Sequence, residues 1–143
     1  MTGVQTCALP ILSIDKKITV VETEWDENIK QGGKVFASET NKAFQAIPAQ
    51  YDWAFYIQGD EVVHEKYIHV IKKEMEDNLA DKNVEGLLFN YLHFFGSYNY
   101  IGTKYSWYRR EIRIVRNQKD IFSFRDAQGF RIRENKKNEC EIY

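Results

Sequence analysis

The chain reads WAFYIQGDE from Trp53 to Glu61, and this run carries its strongest structural signal. A segment of strand length that is apolar on both faces is typical of an interior strand of a parallel sheet. Ligands of open α/β sheets bind beyond the carboxyl ends of such strands. We therefore expect Asp60 and Glu61 at a binding rim, where Gly59 lets a ligand approach the backbone and the two carboxylates hold a divalent cation and, through it, a diphosphate. The alternative is an acidic strand end with Asp60 as the N-cap of the next helix.

The chain has 143 residues, a length that bounds it to one domain. No apolar run reaches the roughly 18 residues needed to cross a bilayer, so we expect no transmembrane segment. Two cysteines near opposite ends, Cys7 and Cys140, indicate neither a disulfide framework nor a metal knuckle. These features predict a reducing, cytoplasmic setting, which includes the inner face of the membrane.

Residues 1–11, MTGVQTCALPI, resemble the translation of a sequencing-library adapter. We expect this leader to be non-native and to play no part in the fold. The native reading frame would then begin upstream of Leu12, and its amino-terminal part would be missing. A signal peptide is the competing interpretation, but the segment has no basic start and Pro10 interrupts its apolar stretch.

The pattern of apolar residues predicts alternating strands and helices, followed by a β-rich segment. This order favours an incomplete Rossmann-like α/β fold, in which a mostly parallel sheet has flanking helices and a small antiparallel carboxyl-terminal portion. The predicted elements are a strand at 17–23, a helix at 34–46, a strand at 53–58, a helix at 65–79, a strand at 84–95, an aromatic loop at 96–108, a half-exposed strand at 111–116, a short strand at 121–124 and a loose polar tail from 133.

Two motifs resemble those of bacterial family 2 glycosyltransferases. The family has an Asn-bearing helix and then a hydrophobic strand that ends in an Asp-x-Asp-type motif. Here Gln58 replaces the first acid of that motif, Asp60 keeps its last, metal-facing position and Glu61 adds an acid. The resemblance extends over most of residues 12–131 and implies that residues 12–143 are a partial catalytic domain of the A-type nucleotide-diphospho-sugar transferase fold. The motifs are Gly32-Gly33-Lys34 through Glu39-Thr-Asn-Lys-Ala43, and the run from Trp53 to Glu61.

The resemblance implies metal-dependent transfer of a sugar from a nucleotide-diphosphate donor to a glycan or lipid-linked acceptor. A Mg²⁺ or Mn²⁺ ion on Asp60 would stabilise the leaving diphosphate as a Lewis acid. Glu61 would either bind a metal-held water or fix Asp60 in place. Asn41 would hydrogen-bond the donor, although a polar residue on a solvated helix face is the alternative. The implied donor-binding set is Asn41, Gln58, Gly59 and Asp60, and the implied metal ligands are Asp60 and Glu61.

Inversion at the anomeric carbon also needs a base that deprotonates the acceptor hydroxyl. The family places this acid far downstream of the metal motif, and the candidates here are Asp126 and Glu111. Asp126 is preferred because it lies in a predicted loop after a strand, although its neighbours Arg125 and Arg131 favour a structural salt bridge. Glu111 has an alternative role as the strand-face partner of an arginine.

Two further interpretations stay open. Residues 104–137 hold 11 Lys and Arg against 4 Asp and Glu, a balance of +7, and basic segments interleaved with aromatics bind single-stranded nucleic acid. We rank this nucleic-acid module second. The other expectation is that the chain is poorly soluble and inactive by itself, because missing strands would expose a sheet edge.

Within 84–108, His93 is predicted to be a satisfied core histidine. The tyrosines and Trp107 of this segment suit either stacking on a sugar ring or packing in the core.

Overall fold

The computed structural model describes residues 15–26, 28–29, 33–104, 107–133 and 139–141. The expected leader at 1–11 lies outside these residues. Two α-helices and eight strands are present in the described part, with a 3₁₀ turn at Glu65–Tyr67 leading into the second helix. The elements are α1 (Lys34–Gln45), β1 (Trp53–Phe55), α2 (Ile68–Asp77), β2 (Gly86–Asn90), β3 (Phe94–Phe95), β4 (Ser97–Ile101), β5 (Arg110–Arg116), β6 (Ile121–Phe124), β7 (Gly129–Arg133) and β8 (Glu139–Glu141).

The largest sheet has three strands in the order β1-β5-β2, and both of its strand pairs are antiparallel. Ala54 lies opposite Val115, and Leu87 lies opposite Ile114. The prediction of a mostly parallel Rossmann-like sheet is therefore wrong: the described sheets contain antiparallel pairs only. The physical reason is the placement of β5, which returns between β1 and β2, so that these two strands share a direction but never pair with each other.

β1 lies at an edge of the three-stranded sheet as described, and the expectation of an interior strand is also wrong. Its regular part covers three residues, and Phe55 and Ile57 are exposed. Ala54 packs inward, and Tyr56 extends the pairing by donating its N–H to the carbonyl of Arg113 at 2.7 Å.

β5 is the central strand, and it is buried on both faces rather than half-exposed as predicted. Ile114 and Val115 are fully buried, and Arg113 and Arg116 are each only 3% exposed. Alternation of charged and aliphatic residues normally indicates one wet face. Here Arg113 pairs with Glu61 and Arg116 binds backbone carbonyls, so both charged residues are buried and the prediction of a half-exposed strand is wrong.

Two smaller antiparallel sheets complete the β-structure: β3-β4, and β6-β7-β8. The first is a hairpin that joins the end of the strand predicted at 84–95 to the start of the predicted aromatic loop, and Gly96 turns it with a φ of +70°. The second includes Glu139–Glu141, so the prediction of a loose tail is wrong for these residues. The strand expected at 17–23 is absent from the described structure, where these residues follow an irregular path.

Both predicted helices are confirmed within one to three residues at each end. α1 buries Ala37 and Phe44; of the apolar stripe expected from helical spacing, Phe44 faces the core whereas Phe36 is 50% exposed. α2 packs loosely, with no fully buried residue, and Trp53 reaches it by donating its indole N–H to the carbonyl of Met75 at 3.1 Å. Neither described helix has the length and apolar character needed to cross a membrane.

Arg116 joins β5 to the end of α2. Its guanidinium donates to the carbonyls of Asn78, Leu79, Asp81 and Val84 at 2.6–3.2 Å and lies 3.8 Å from the ring centroid of Trp53. A cation at a helix carboxyl terminus is favourable because the last carbonyls lack intrahelical partners. The core lies between α1, the three-stranded sheet and the β6–β7 hairpin, and its buried members are Phe44, Ala54, Ile112, Val115, Ile121 and Phe130.

Candidate functional site

A buried ion pair between Glu61 and Arg113 lies at the centre of the candidate site. The Arg113 Nη2 is 2.6 Å from Glu61 Oε1, and Nε lies 3.1 Å from both carboxylate oxygens. The two side chains are only 11% and 4% exposed, respectively. The backbone N–H of Gln58 also donates to Glu61 Oε2 at 3.1 Å. This carboxylate therefore ties the loop after β1 to β5, and the structure places Glu61 as a residue that positions the loop rather than as a metal ligand.

Electrostatics keep this pair ionised. Burial by itself would raise the pKa of Glu61, but hydrogen bonds from Arg113 and Tyr91 lower that pKa below its ordinary value. Burial would likewise lower the pKa of Arg113, yet Glu61 and Tyr91 raise it overall. Arg113 also faces the rings of Tyr56 and Tyr91, at 5.5 and 5.0 Å from their centroids. The charge is thus enclosed by one carboxylate and two aromatic rings.

Asp60, unlike the buried Glu61, lies in an exposed turn. A side chain added at Gly59 would meet no atom within 4 Å, so the backbone before Asp60 is open to a ligand. Gln58 turns away, since its amide N–H donates to the Tyr56 hydroxyl at 2.9 Å. The described residues contain no cluster of three or more potential metal-binding side chains. Asp60 nevertheless fits the implied cation, because Mg²⁺ is commonly held by one or two carboxylates together with substrate phosphates.

Glu111 lies on β5 two residues before Arg113, on the same face of the strand. Its side chain is 16% exposed, and its Oε2 is 3.9 Å from Arg113 Nη1. Burial raises the pKa of Glu111, with Arg113 opposing the shift and the charges of Glu61 and Asp126 adding to it. A carboxylate whose pKa is raised toward neutral is a better base. The alternative role of Glu111 as the partner of an arginine also has support, because Arg113 is that partner, but the 3.9 Å contact is weak.

Asp126 occupies the turn between β6 and β7, where its neighbours Arg125 and Ala127 both have positive φ, 57° and 64°. Gly33, the N-cap of α1, has a φ of +74° and lies against this turn: an added Cβ would be 2.3 Å from the Asp126 Cβ. The Oδ1 of Asp126 is buried and accepts no hydrogen bond from the described residues. Arg125 stacks on the Phe124 ring, with its guanidinium 5.0 Å from the centroid.

Asn41 has a structural role that the sequence did not indicate. Its amide N–H donates to the Ser123 carbonyl at 3.0 Å, and its Oδ1 accepts the Ser123 N–H at 2.6 Å. The side chain thereby imitates a strand and holds α1 against β6. Because both polar groups of Asn41 are engaged, the structure does not support its assignment to donor binding.

The acidic candidates converge on one region although up to 66 positions separate them in sequence. Glu61 and Asp126 both act on the pKa of Glu111. Burial raises the pKa of Tyr108, and Glu111, Glu61 and Asp60 raise it further against Arg113. Arg113 therefore contacts two carboxylates, Glu61 and Glu111, a pairing that the linear pattern alone does not reveal.

An aromatic cleft of about 320 Å³ is lined in part by Tyr108, the residue whose pKa responds to Glu111, Glu61 and Asp60. Its inner wall is a stack in which the His93 ring lies 4.8 Å from Trp107 and 4.4 Å from Tyr108. The Nε2 of His93 is 2.6 Å from the Tyr108 carbonyl, so this histidine is hydrogen-bonded as predicted, but it is half-buried in the cleft wall and does not belong to the core. Gly102 allows the Trp107 ring to pack closely on the backbone, since an added Cβ would lie 3.1 Å from the Trp107 indole nitrogen. The remaining lining residues are Asn90, Tyr91, Leu92, Ile101, Thr103, Lys104 and Arg109.

Sequence reasoning missed Arg113 and Tyr91 as site residues. One local signal was available for Arg113: a charged residue between two isoleucines on a short strand indicates a buried, paired charge. Tyr91 has no comparable signal, because its role depends on the approach of β2 to β5. Comparison with protein-family models, curated proteins and solved structures finds no match to this chain.

Proposed function

We propose that the chain contributes the catalytic region of a metal-dependent enzyme that transfers a sugar from a nucleotide-diphosphate donor to a glycan or lipid-linked acceptor. The observation that carries this proposal is electrostatic: Glu111 and Asp60 both act on the pKa of Tyr108, which lines the aromatic cleft, and Asp126 acts on the pKa of Glu111. Sugar transfer needs carboxylates for both a cation and a base, and flat rings for a sugar face.

Asp60 would hold the divalent cation together with the donor phosphates. Bound there, the cation supplies Lewis-acid stabilisation of the diphosphate leaving group. The open backbone at Gly59 gives the donor room to approach. Glu61 fixes the loop that carries Asp60, because its two oxygens are held by Arg113 and by the Gln58 N–H.

Glu111 is the better supported base. In the proposed step Glu111 takes the proton of the acceptor hydroxyl while the oxygen forms its bond to the anomeric carbon. The bond from that carbon to the donor phosphate oxygen breaks, and the nucleoside diphosphate leaves with the electron pair. The raised pKa of Glu111 suits this task. Asp126, with its buried and unpaired oxygen, is the second candidate.

The aromatic cleft would receive the acceptor. Trp107 is 37% exposed and stacks on His93, so its outer face is available to an apolar sugar face. Tyr108 and Arg109 line the cleft three and two positions before Glu111, and the charge of Glu111 acts on the pKa of Tyr108.

The test is donor turnover by the full-length protein with Mn²⁺ or Mg²⁺ across a panel of nucleotide sugars. Asp60→Asn should lower turnover about 100-fold or more, whereas the same substitution at exposed Asp52, before β1, should leave it unchanged. Glu111→Gln should lower transfer about 100-fold or more while donor binding persists. Full activity of the Asp60→Asn protein would refute the proposal.

The nucleic-acid interpretation gains no support from the geometry. Arg113 and Arg116, within the basic segment, are buried against Glu61 and backbone carbonyls. Arg133 lies over the Phe122 ring, 5.1 Å from its centroid. Two of the arginines of this segment are therefore committed inside the fold, and no described contact favours a nucleic-acid surface over the proposed enzyme.

A further inference from the structure

The β3–β4 hairpin presents a concentrated apolar surface to solvent. Phe95, Tyr98 and Tyr100 are 73%, 75% and 68% exposed, and the other large side chains of the hairpin are exposed as well. We call this surface the aromatic hairpin; its members are Leu92, Phe94, Phe95, Tyr98, Tyr100 and Ile101.

The hairpin does not belong to the core of the described structure. β3 pairs only with β4, and none of its residues joins the buried cluster. Phe94 packs on Tyr98 at 5.1 Å between ring centroids, which leaves the outer faces of both strands to water. Isolated two-stranded hairpins are only marginally stable in water, and an exposed apolar patch marks an interaction surface.

The charges around the hairpin indicate the kind of partner. No Asp or Glu occurs from Gly86 to Arg110, a stretch that contains Lys104, Arg109 and Arg110. All three basic residues are exposed. Aromatic side chains flanked by lysine and arginine, without acids, are typical of segments that lie in the interface of anionic membranes.

We propose that the aromatic hairpin inserts into the headgroup region of an anionic lipid bilayer, with Lys104, Arg109 and Arg110 on the lipid phosphates. The partner is a lipid surface rather than a second copy of the chain, because self-association would bring Lys104 and Arg110 of two copies together, and the side chain of the neighbouring Glu111 is only 16% exposed. The proposal goes beyond sugar transfer and does not depend on it.

Vesicle flotation with the full chain, without any sugar donor, tests the proposal. Vesicles of phosphatidylcholine alone are compared with vesicles containing about 30 mol% phosphatidylglycerol, at about 0.1 M and 0.5 M NaCl. We expect binding to the anionic vesicles at low salt and a clear loss at high salt. Aggregated protein sediments whereas vesicle-bound protein floats, so aggregation cannot imitate the result.

Variants locate the contact. The double substitution Phe95→Ser with Tyr98→Ser should weaken partitioning about tenfold or more, and Lys104→Gln should weaken it about fivefold. The matched control is Val62→Ser, since Val62 is equally exposed at 77% but lies in the loop after β1. Circular dichroism should show all variants folded, because every substituted side chain is exposed.

Two results would overturn the membrane assignment. One is a chain that stays with the lipid-free fraction for both vesicle compositions. The other is a dimer seen by light scattering without lipid and abolished by the Phe95 and Tyr98 substitutions, which would identify a second copy as the partner.

Discussion

Replacing Glu61 with Gln tests the buried ion pair that connects the loop after β1 to β5. Glutamine keeps the shape of the side chain but leaves the buried Arg113 charge with only the 3.9 Å contact to Glu111, and breaking a buried ion pair costs about 3–5 kcal/mol. Arg113 retains the Tyr91 hydroxyl at 3.3 Å and the Gln128 carbonyl at 3.4 Å. We therefore expect the free energy of unfolding to fall by about 3 kcal/mol, the lower end of that range. For a chain of this length, that loss lowers Tm by roughly 10 °C.

Urea unfolding at neutral pH, followed by circular dichroism and tryptophan fluorescence, measures this loss. The control Glu76→Gln changes an exposed residue of α2 and should stay within about 0.5 kcal/mol of the parent chain. Exchanging both partners, Glu61→Leu with Arg113→Met, removes the charges together and should recover most of the stability. A loss below about 1 kcal/mol for Glu61→Gln, or a double variant less stable than the single one, would refute the reasoning.

Acid titration gives an independent check. The pKa of Glu61 is lowered in the folded chain, so the unfolded chain takes up a proton first as pH falls. The contribution of Glu61 is therefore complete above its unfolded pKa of about 4.3 and is lost as pH falls through the lower folded value. The Glu61→Gln chain should lack this part of the acid dependence, and an unchanged acid limb would argue against an ionised Glu61.

Three further predictions concern neighbouring residues. Arg116→Lys loses most of the four carbonyl contacts at the end of α2 and should cost about 2–3 kcal/mol in urea unfolding; an unchanged midpoint would contradict this. Glu111→Gln should stabilise the chain at neutral pH, because the raised pKa of Glu111 means that its ionisation opposes folding; lower stability would show that its contact with Arg113 dominates. Gly33→Ala should cost about 1–3 kcal/mol, since it places a methyl group against Asp126 at positive φ, whereas Gly59→Ala, in open space, should be nearly neutral.

Local periodicity predicted the helices well and the sheet poorly. The apolar spacing of α1, seen in Ala37 and Phe44, depends only on neighbours within one element. Strand direction depends on which distant segment pairs with which, and the local pattern of β1 contains no information about β5. The order of strands and helices favoured parallel pairing, but β5 returns between β1 and β2 and makes each pair antiparallel.

The sequence pointed to the candidate carboxylates but not to the long-range contacts that these and neighbouring residues make. Asp60 was identified from its position after a predicted strand, and Glu111 and Asp126 from the family resemblance; in the structure Asp126 acts on the pKa of Glu111, and Asp60 and Glu111 on that of Tyr108. Asn41 was assigned from a family resemblance, yet it binds the Ser123 backbone 82 positions away. Contacts over such sequence distances, including the one between Glu61 and Arg113, are set by the packing of whole elements, which a local pattern cannot report.

β5 links the stability of the fold to the proposed chemistry. Glu111 and Arg113 share one face of this strand, so the guanidinium that holds Glu61 also lies 3.9 Å from the proposed base. Arg113 opposes the raised pKa of Glu111, while the charge of Glu61 supports it. Removing the Glu61 charge would leave Glu111 as the carboxylate beside Arg113, and the pKa of Glu111 would fall. In the proposed mechanism the buried pair would therefore do more than anchor a loop, because the Glu61 carboxylate helps to keep the pKa of Glu111 raised.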